Sequence, residues 1–374
     1  MSFKQARRLT RSIALVSSPH GANYDIWVRL RISEKAGRIA VLTTMRALAK
    51  KAVLGSGLLR LAAGLQGRGA AILMYHSVLE DPSQQADSLG GIMHARPVFR
   101  QQMELLAREF HPLSIDELAI LLRGEEKIPE RCVVVTFDDG YRDNFENAMP
   151  ILDQCGIRAA FYVTANCIEK GQLPWPSRVR FALRTTRRGT WTDPAGALWS
   201  LETEAGRDRA FAKASEYCCR LAGAAQEQLV AGIEAELATR IPPDSKRLMM
   251  NWDELRKLSE RGHVVGSHTL SHPNVAQIPF ADMRVELEQS RSSLEKQLNH
   301  RVVHFSYPCP ALSPHWNEKT VEECRRAGYE TAVVADSGLA RKLDSPLCLR
   351  RVPPSKTLEG LRWNLEWAFA GRAI

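Results

Sequence analysis

The chain has 374 residues, of which 44% are hydrophobic and 25% charged, a composition typical of a soluble globular protein. A chain of this length can bury a stable core without disulfide bonds or structural metal ions. We therefore expect any metal site in it to be catalytic. The net charge of +9 belongs to one segment, because residues 1–70 carry a net +11 and the remainder carries −2. The sequence has no zinc-finger spacing, aromatic RNA-binding signature or helix-turn-helix pattern, so we expect no nucleic-acid partner.

The first 68 residues are basic and mostly compatible with helix, and we interpret them as an N-terminal extension. Within it, residues 52–65 form an apolar stretch that contains Arg60 and follows Lys50 and Lys51. The stretch is too short for a transmembrane helix, and we see no signal-peptide pattern. Two interpretations stay open: an interfacial helix on an anionic membrane leaflet, or a helix packed on the body of the protein.

The cysteines show no CxxC pair and no regular framework, and two of them are adjacent in a helix-like stretch. We therefore predict reduced thiols in a cytoplasmic protein, peripheral on the inner face of the membrane if the extension binds lipid. The eight positions are 132, 155, 167, 218, 219, 309, 324 and 348.

From residue 70 onward, apolar runs alternate with segments of helical periodicity. A short strand ends near His76, and a helix with a capping box of Ser114 and Glu117 follows further on. The segment "CVVVTFDDGY" (132–141) predicts a buried strand, and a helix and a second strand (158–165) follow it. This βαβ spacing predicts a parallel sheet.

Residues 166–250 interrupt the alternation, and we predict a helical insertion there with helices around 206–222 and 225–239. The alternation then resumes, with a long helix at 281–298 and a final helix at 357–369. Repeated βα units favour a barrel or a doubly wound sheet. In both folds the active site lies at the carboxyl ends of the strands.

Asp138 and Asp139 stand at such a strand end. Two adjacent buried carboxylates are costly without a partner, and a bound cation would remove that cost. One carboxylate would face the metal and the other would serve as a base. The alternative is an ordinary strand-to-turn "DDG", in which Gly140 supplies an unusual φ.

His268 and His272 follow another predicted strand, in "SHTLSHP". Their spacing suits chelation, although HxxxH alone occurs often by chance. One Asp and two His would leave open positions on a divalent metal, as in catalytic sites. With Asp138 accepting a proton from water, this predicts amide or ester hydrolysis.

Three segments in this order, "TFDDGY" (136–141), "SHTLSHP" (267–273) and "FSYP" (305–308), resemble the polysaccharide deacetylases with NodB homology, carbohydrate esterase family 4. "LMYHSV" and "WDELRKLSERGHVVGSHT" are also similar to this family, and the resemblance covers most of residues 70–353. It implies an α/β fold, a distorted (β/α) barrel (residues 69–374) with the insertion at about 166–250. It also implies a divalent metal, Zn²⁺ with Ni²⁺ or Co²⁺ as alternatives, and removal of an N-acetyl group from an amino sugar.

The matching motifs give Asp138 the general-base role and Asp139, His268 and His272 the metal-ligand roles. The third motif, which contributes the oxyanion site and substrate groove, reads Tyr307-Pro308-Cys309-Pro310 here. Since prolines have no N–H, the resemblance makes the backbone N–H of Cys309 the oxyanion donor.

The sequence departs from the family pattern in three places. Ser306 stands near the position of an Arg that pairs with the base, and Pro310 replaces a common Gly. The late motif with a general-acid His is not visible, and Arg350 and Arg351 stand there instead. We assign the acid to His76, whose alternative is a loop histidine that only supports the site.

The insertion offers candidate substrate contacts. Trp175 is predicted to stack on a sugar ring, against the alternative that it is a core residue. Arg178, Arg180 and Arg184 are candidates for a phosphate of a nucleotide- or lipid-linked sugar, against the alternative of a solvated helical face.

The sequence thus predicts an enzyme of cell-surface polysaccharide biosynthesis, a hydrolase that deacetylates an amino sugar in a glycan or its lipid- or nucleotide-linked precursor. One alternative is removal of another small acyl group, such as formyl. Another is a non-catalytic carbohydrate-binding or scaffold protein on the same barrel. The altered third motif and missing late His support that second alternative, whereas Asp138 argues against it.

Overall fold

The computed structural model describes residues 50–66, 68–81, 92–239 and 248–372. The chain divides into two units, residues 1–58 and 59–374. In the first unit, residues 50–55 are helical, and most of the predicted extension (1–68) lies outside the described residues. In the described ranges, no helix is both long enough and apolar enough to cross a membrane.

The described helices follow in chain order. They are α1 (Leu58–Leu65), α2 (Arg96–Glu109), α3 (Ile115–Arg123), α4 (Met149–Gln154), α5 (Ala165–Lys170), α6 (Trp175–Thr185), α7 (Glu204–Cys218), α8 (Gly223–Glu236), α9 (Trp252–Glu260), α10 (Phe280–Leu298), α11 (Glu318–Arg326) and α12 (Leu358–Phe369). The described strands are β1 (Ala70–Tyr75), β2 (Ser77–Leu79), β3 (Met93–Ala95), β4 (His111–Pro112), β5 (Cys132–Phe137), β6 (Ala160–Val163), β7 (Thr190–Thr192), β8 (Leu198–Ser200), β9 (Val264–Ser267), β10 (His304–Ser306), β11 (Thr331–Ser337) and β12 (Leu349–Val352). A π-helical turn, Asn144–Ala148, leads into α4.

Seven parallel strands close into a barrel in the order β1, β12, β11, β10, β9, β6, β5, and β5 pairs again with β1. The closing pair runs in register from Ala70 opposite Cys132 to Tyr75 opposite Phe137. The short β4 adds to β5 at the amino end of that strand. The predicted (β/α) barrel is confirmed, and with it the prediction that the strand ends gather at one face.

The local sequence explains these elements. All six residues of β5 are buried, and four of them are β-branched, which suits a strand covered on both faces. Helix α3 begins with the predicted capping box of Ser114 and Glu117, and α9 begins with a second one of Asn251 and Glu254. Stacked Phe137 and Phe161, with ring centres 4.9 Å apart, belong to the main core.

The insertion has a core of its own, to which α6, β7, α7 and α8 contribute. Helices α7 and α8 confirm the two predicted helices. The segment between α6 and α7, for which we predicted no strand, forms an antiparallel hairpin of β7 and β8, in which Trp191 of β7 is buried. Its strands have three residues each, too short to show a clear alternation of polar and apolar residues in the sequence. All eight cysteines are free.

Candidate active site

A cavity of about 300 Å³ opens at the carboxyl ends of the barrel strands. The barrel and its loops contribute Met74, His76, Ile92, Asp138, Asp139, Tyr141, His268, His272, Tyr307, Cys309, Pro310, Ala335 and Arg351 to its wall. The insertion contributes Pro174, Pro176, Ser177 and Arg180. Most of the candidate residues therefore meet in one cavity, although their sequence positions span more than 270 residues.

Asp139, His268 and His272 come together as the sequence predicts. One nitrogen or oxygen from each lies within 4.8 Å of the others, and all three residues are buried. Asp139 Oδ1 is 3.5 Å from His268 Nε2 and 3.2 Å from His272 Nε2. An O, N, N donor set of this kind suits a divalent transition metal.

The electrostatics of these three residues fit a cation. Asp139 Oδ1 is buried and accepts no hydrogen bond of good geometry, although two imidazole nitrogens face it. Burial opposes ionisation of Asp139, but the contact with His272 outweighs it and holds the pKa of Asp139 well below its usual value. A buried, ionised and unsatisfied carboxylate oxygen is expensive unless a cation binds to it.

The imidazole of His268 is oriented by a hydrogen bond to the backbone. Its Nδ1 donates to the backbone oxygen of Ser306 at 2.7 Å, which leaves the Nε2 lone pair facing Asp139. Burial lowers the pKa of His268 to about 4, so the ring is neutral at neutral pH, as a metal ligand must be.

Two of the three residues sit in left-handed backbone conformation. The φ angles are 77° at Asp139 and 63° at His272, and Thr269 between the histidines has φ 69°. Such conformations cost non-glycine residues about 1–3 kcal/mol each and cluster at functional sites. The following Gly140 has φ 93°, and a Cβ there would lie 3.0 Å from Ile168 Cδ1, so any other residue would be strained and crowded at this position.

The loop that carries the two histidines is held from two sides. The carboxylate of Glu286, on α10, accepts hydrogen bonds from the backbone of Leu270 at 2.8 Å and of Ser271 at 2.9 Å. From the insertion, Trp175 Nε1–H donates to the backbone oxygen of His272 at 2.8 Å. Trp175 is only 3% exposed, so its ring has no free face for a sugar. The stacking prediction is corrected: Trp175 is a core residue that braces the histidine loop.

Asp138 has a different partner. Arg351 Nη1 lies 2.9 Å from Asp138 Oδ1 and 2.8 Å from Oδ2, and Arg351 Nε donates to the backbone oxygen of Val334 at 3.0 Å. Burial opposes ionisation of Asp138, but the Arg351 charge outweighs it and lowers the pKa of the carboxyl. The arginine missing from the third motif, where Ser306 stands, is thus supplied by β12.

Arg350 and Arg351 stand out in the sequence, but no local pattern connects either of them to Asp138. In β12, Leu349, Arg351 and Val352 are buried and only Arg350 is exposed, so Arg351 lies inside a buried strand. An arginine at an inward position of a buried strand needs a carboxylate. Which carboxylate it meets depends on barrel closure, and that is not visible in a local pattern.

The third motif lies beside the cavity. Tyr307 is buried, its backbone N–H donates to Val333 at 3.1 Å, and its ring meets Phe305 edge to face. Pro308 is buried next to it, and Cys309 is exposed and lines the cavity. In the part of the chain that the structure describes, the Cys309 N–H donates to no group, so it is available to an oxyanion.

His76 lines the same cavity and is half-buried. Asn144 Nδ2 donates to its backbone oxygen at 2.6 Å, which fixes the backbone after β1. Within the described ranges, the His76 ring makes no hydrogen bond, so it is free to meet a ligand. The geometry is compatible with the predicted acid role.

The chain is similar to known proteins in both sequence and fold. The family model described as polysaccharide deacetylase matches residues 125–195 and 220–332. A curated relative from Bacillus subtilis strain 168, YxkH, is named provisionally as a polysaccharide deacetylase. It is 19% identical over 290 residues, covering 77% of this chain and 72% of the relative.

Two solved structures share the fold. The Streptococcus pyogenes deacetylase PplD, in complex with acetate, superposes with a TM-score of 0.54 at 18% identity, over 80% of this chain and 99% of PplD. IcaB from Ammonifex degensii superposes with a TM-score of 0.52 at 18% identity, over 81% of this chain and 99% of IcaB. The family match and the shared barrel agree with the motifs of the site. Residues 125–195 and 220–332 belong to the polysaccharide deacetylase family, and the chain is a carbohydrate deacetylase.

Proposed function

We propose that this protein is a metal-dependent hydrolase that removes the N-acetyl group from an amino sugar of a polysaccharide or of its lipid- or nucleotide-linked precursor. One observation carries the proposal. The adjacent carboxylates Asp138 and Asp139 have separate partners, an arginine for the first and two histidines for the second. This division separates a base from a metal ligand.

Asp139, His268 and His272 would hold the metal, for which Zn²⁺ is our first choice and Ni²⁺ or Co²⁺ are alternatives. When bound, the metal supplies a Lewis acid that polarises the amide carbonyl and makes water more acidic. The mixed oxygen and nitrogen donors favour these ions over Mg²⁺ or Ca²⁺, which prefer oxygen ligands.

The chain's own groups account for the proton transfers. Asp138, kept ionised and oriented by Arg351, accepts a proton from the water that adds to the acetyl carbon. The N–H of Cys309 donates to the carbonyl oxygen as negative charge develops there. His76 donates a proton to the sugar nitrogen as the C–N bond breaks, which gives acetate and the free amine.

The same residues bear on the two alternative functions, removal of another acyl group and carbohydrate binding without catalysis. Removal of a formyl group would use the same machinery, and only the size of the acyl pocket would separate the two activities. A non-catalytic binder has no need of a base held ionised by a buried arginine. The Asp138–Arg351 pair therefore favours turnover over binding alone.

Metal content is the first test, because a failed activity assay with the wrong sugar would mean little. Elemental analysis of the wild type should find about one Zn²⁺, Ni²⁺ or Co²⁺ per chain, and His268→Ala/His272→Ala should lose it. Acetate release would then be screened on N-acetylated amino sugars. A wild type that takes up no metal even after reconstitution would shift the weight to the non-catalytic binder.

We also propose that the basic extension attaches the protein to the inner, anionic face of a membrane, a contact that leaves catalysis unaffected. The net charge of +11 over residues 1–70 supports this, as do two exposed leucines of α1, Leu58 (62%) and Leu61 (71%). Sedimentation with anionic vesicles should retain the full chain and lose a variant lacking residues 1–68. Equal sedimentation of both would refute an anchoring role.

A further inference from the structure

The insertion forms part of the catalytic cavity, and it does so mainly through the first turns of α6. Pro176, Ser177 and Arg180 of this helix line the cavity together with barrel residues. Ser177 Oγ lies 2.9 Å from the hydroxyl of Tyr141, which follows Asp138 and Asp139 in the sequence. This contact fixes α6 relative to the site, so its cavity-lining side chains have defined positions there.

Three arginines of α6 have three different environments. Arg178 is buried and bonds to Glu227 and Glu234 at 2.7–2.9 Å. Arg184 is not part of the cavity wall and pairs with Asp208 at 2.6 Å. These two are structural ion pairs, which removes them from the candidates for binding a phosphate.

Arg180 is the exception on this helix. Among the residues that the structure describes, no carboxylate pairs with it and no group accepts a hydrogen bond from it. Its guanidinium carbon lies 4.3 Å from the centre of the Phe211 ring, an arrangement that holds the guanidinium by cation–π attraction. Stacking on a ring leaves the N–H groups at the edge of the guanidinium available to an acceptor.

An unpaired cation in this position is costly. Arg180 is half-buried, and burial together with the nearby charge of Arg184 lowers its pKa, against the weaker opposing effect of Asp208, which itself pairs with Arg184. The other charged groups of the cavity have partners already, since Asp138 pairs with Arg351 and Asp139 faces two histidines. Within the described cavity wall, no anion is therefore free to neutralise Arg180. An anionic group on a bound ligand could do so.

We propose that Arg180 binds a phosphate carried by the substrate, so that the enzyme prefers an N-acetylated amino sugar linked to phosphate over a neutral glycan. This inference rests on the proposed function and narrows its substrate class. Arginine matches phosphate with two parallel N–H···O bonds, a stronger and more directional contact than a lone ammonium makes. Nucleotide-linked and lipid-linked sugars share this phosphate.

The test compares a phosphorylated and a neutral substrate on the metal-loaded full chain. The substrates are N-acetylglucosamine 1-phosphate and methyl N-acetylglucosaminide, and the variants are Arg180→Ala, Arg180→Lys and the control Arg187→Ala. Arg187 is an exposed arginine of the same insertion outside the cavity wall, so it matches the loss of charge. Arg180→Ala should raise KM for the phosphorylated substrate about 10- to 100-fold with little change in kcat. KM for the neutral substrate should not change, Arg180→Lys should be intermediate, and Arg187→Ala should match the wild type.

An equal loss on both substrates would overturn the inference, because it would show a structural role for Arg180. Wild-type kcat/KM values that are equal for the two substrates would also overturn it. UDP-N-acetylglucosamine and a short-chain prenyl-diphosphate sugar, run in parallel, separate the nucleotide and lipid sources by their relative kcat/KM.

A binding measurement keeps this inference separate from the proposed function. Titration calorimetry with the same two sugars on Asp138→Asn, with and without Arg180→Ala, needs no turnover. A preference for the phosphorylated sugar that disappears with Arg180→Ala supports the inference even if no sugar is hydrolysed by the wild type. A preference that persists in Arg180→Ala would show that another group binds the phosphate and would overturn the inference.

Discussion

The barrel and the insertion differ in the charged side chains that they contribute to the described cavity wall: those of the barrel are paired, and that of the insertion is not. In the barrel, each carboxylate of the site faces a cationic or imidazole partner from another segment, as Asp138 does with Arg351. In the insertion, the arginine that reaches the cavity, Arg180, has no acidic partner among the described residues. Paired charges suit a reaction centre that must keep its geometry, and an unpaired charge suits a contact completed by the substrate. The comparison suggests that strand ends carry the chemistry and the insertion carries the selection of substrate.

Asp138→Asn gives the largest expected effect on the barrel side of this comparison. Asparagine cannot accept the proton, so kcat/KM should fall by about 10²- to 10⁴-fold while the metal content stays at the wild-type level. Deacetylation rates and elemental analysis on the same preparation measure both. Asp138→Asn leaves the buried Arg351 without its counterion, which could destabilise the fold. The melting temperatures of Asp138→Asn and of the double variant Asp138→Asn/Arg351→Met show whether lost activity comes from such destabilisation. Near-wild-type turnover in a well-folded Asp138→Asn would remove the base assignment.

Arg351→Gln tests the role of the paired charge in the barrel through the pH dependence of kcat/KM. The base must be ionised, so activity is lost as pH falls through the pKa of Asp138, which Arg351 holds low against the opposing effect of burial. Without the arginine, burial remains, and the acidic limb of the kcat/KM profile should move upward by about 1 to 3 pH units. Arg350→Gln, on the exposed neighbour, should leave the profile in place. An acidic limb that does not move would show that Arg351 has no influence on the base.

Trp175→Phe has the smallest expected effect and tests the contact by which the insertion braces the barrel. It keeps an aromatic ring in the insertion core but loses the hydrogen bond to His272, worth about 1 kcal/mol. Metal affinity should fall by about 2- to 10-fold, as measured by competition with a chelator, and activity should return at saturating metal. Trp199→Phe is the matched control, because its Nε1–H donates to Asp193 inside the insertion. Equal effects of the two variants would mean that only the insertion core is perturbed.

The sequence was most informative where chemistry and chain order coincide. Asp139, His268 and His272 stand in short motifs directly after strands, so the barrel rule brings them together without knowledge of distant pairings. The alternation of predicted strands and helices along the chain indicated the barrel. The capping box at Ser114 could be identified from four consecutive residues of the sequence. The catalytic and ligand roles stay predictions until metal and turnover are measured.

Other features depend on tertiary context that a linear pattern does not contain. Arg351 meets Asp138 only because the last strand closes the barrel near the first. The burial of Trp175 follows from the packing of α6 against α7 and α8, and nothing in "PWPS" distinguishes this from an exposed loop. The charge pairing that singles out Arg180 among three arginines requires the positions of glutamates about 50 residues away.

The pairing of Asp138 with Arg351 also constrains how the enzyme matures. The two residues are separated by 213 positions, so a ribosome must make almost the whole barrel before the carboxylate acquires its counterion. Until β12 inserts, a barrel closed around Asp138 would enclose an uncompensated negative charge, which disfavours early closure. Complete assembly and a competent base are thereby coupled, and a release-stalled chain ending before Leu349 is expected to show neither protease resistance nor turnover.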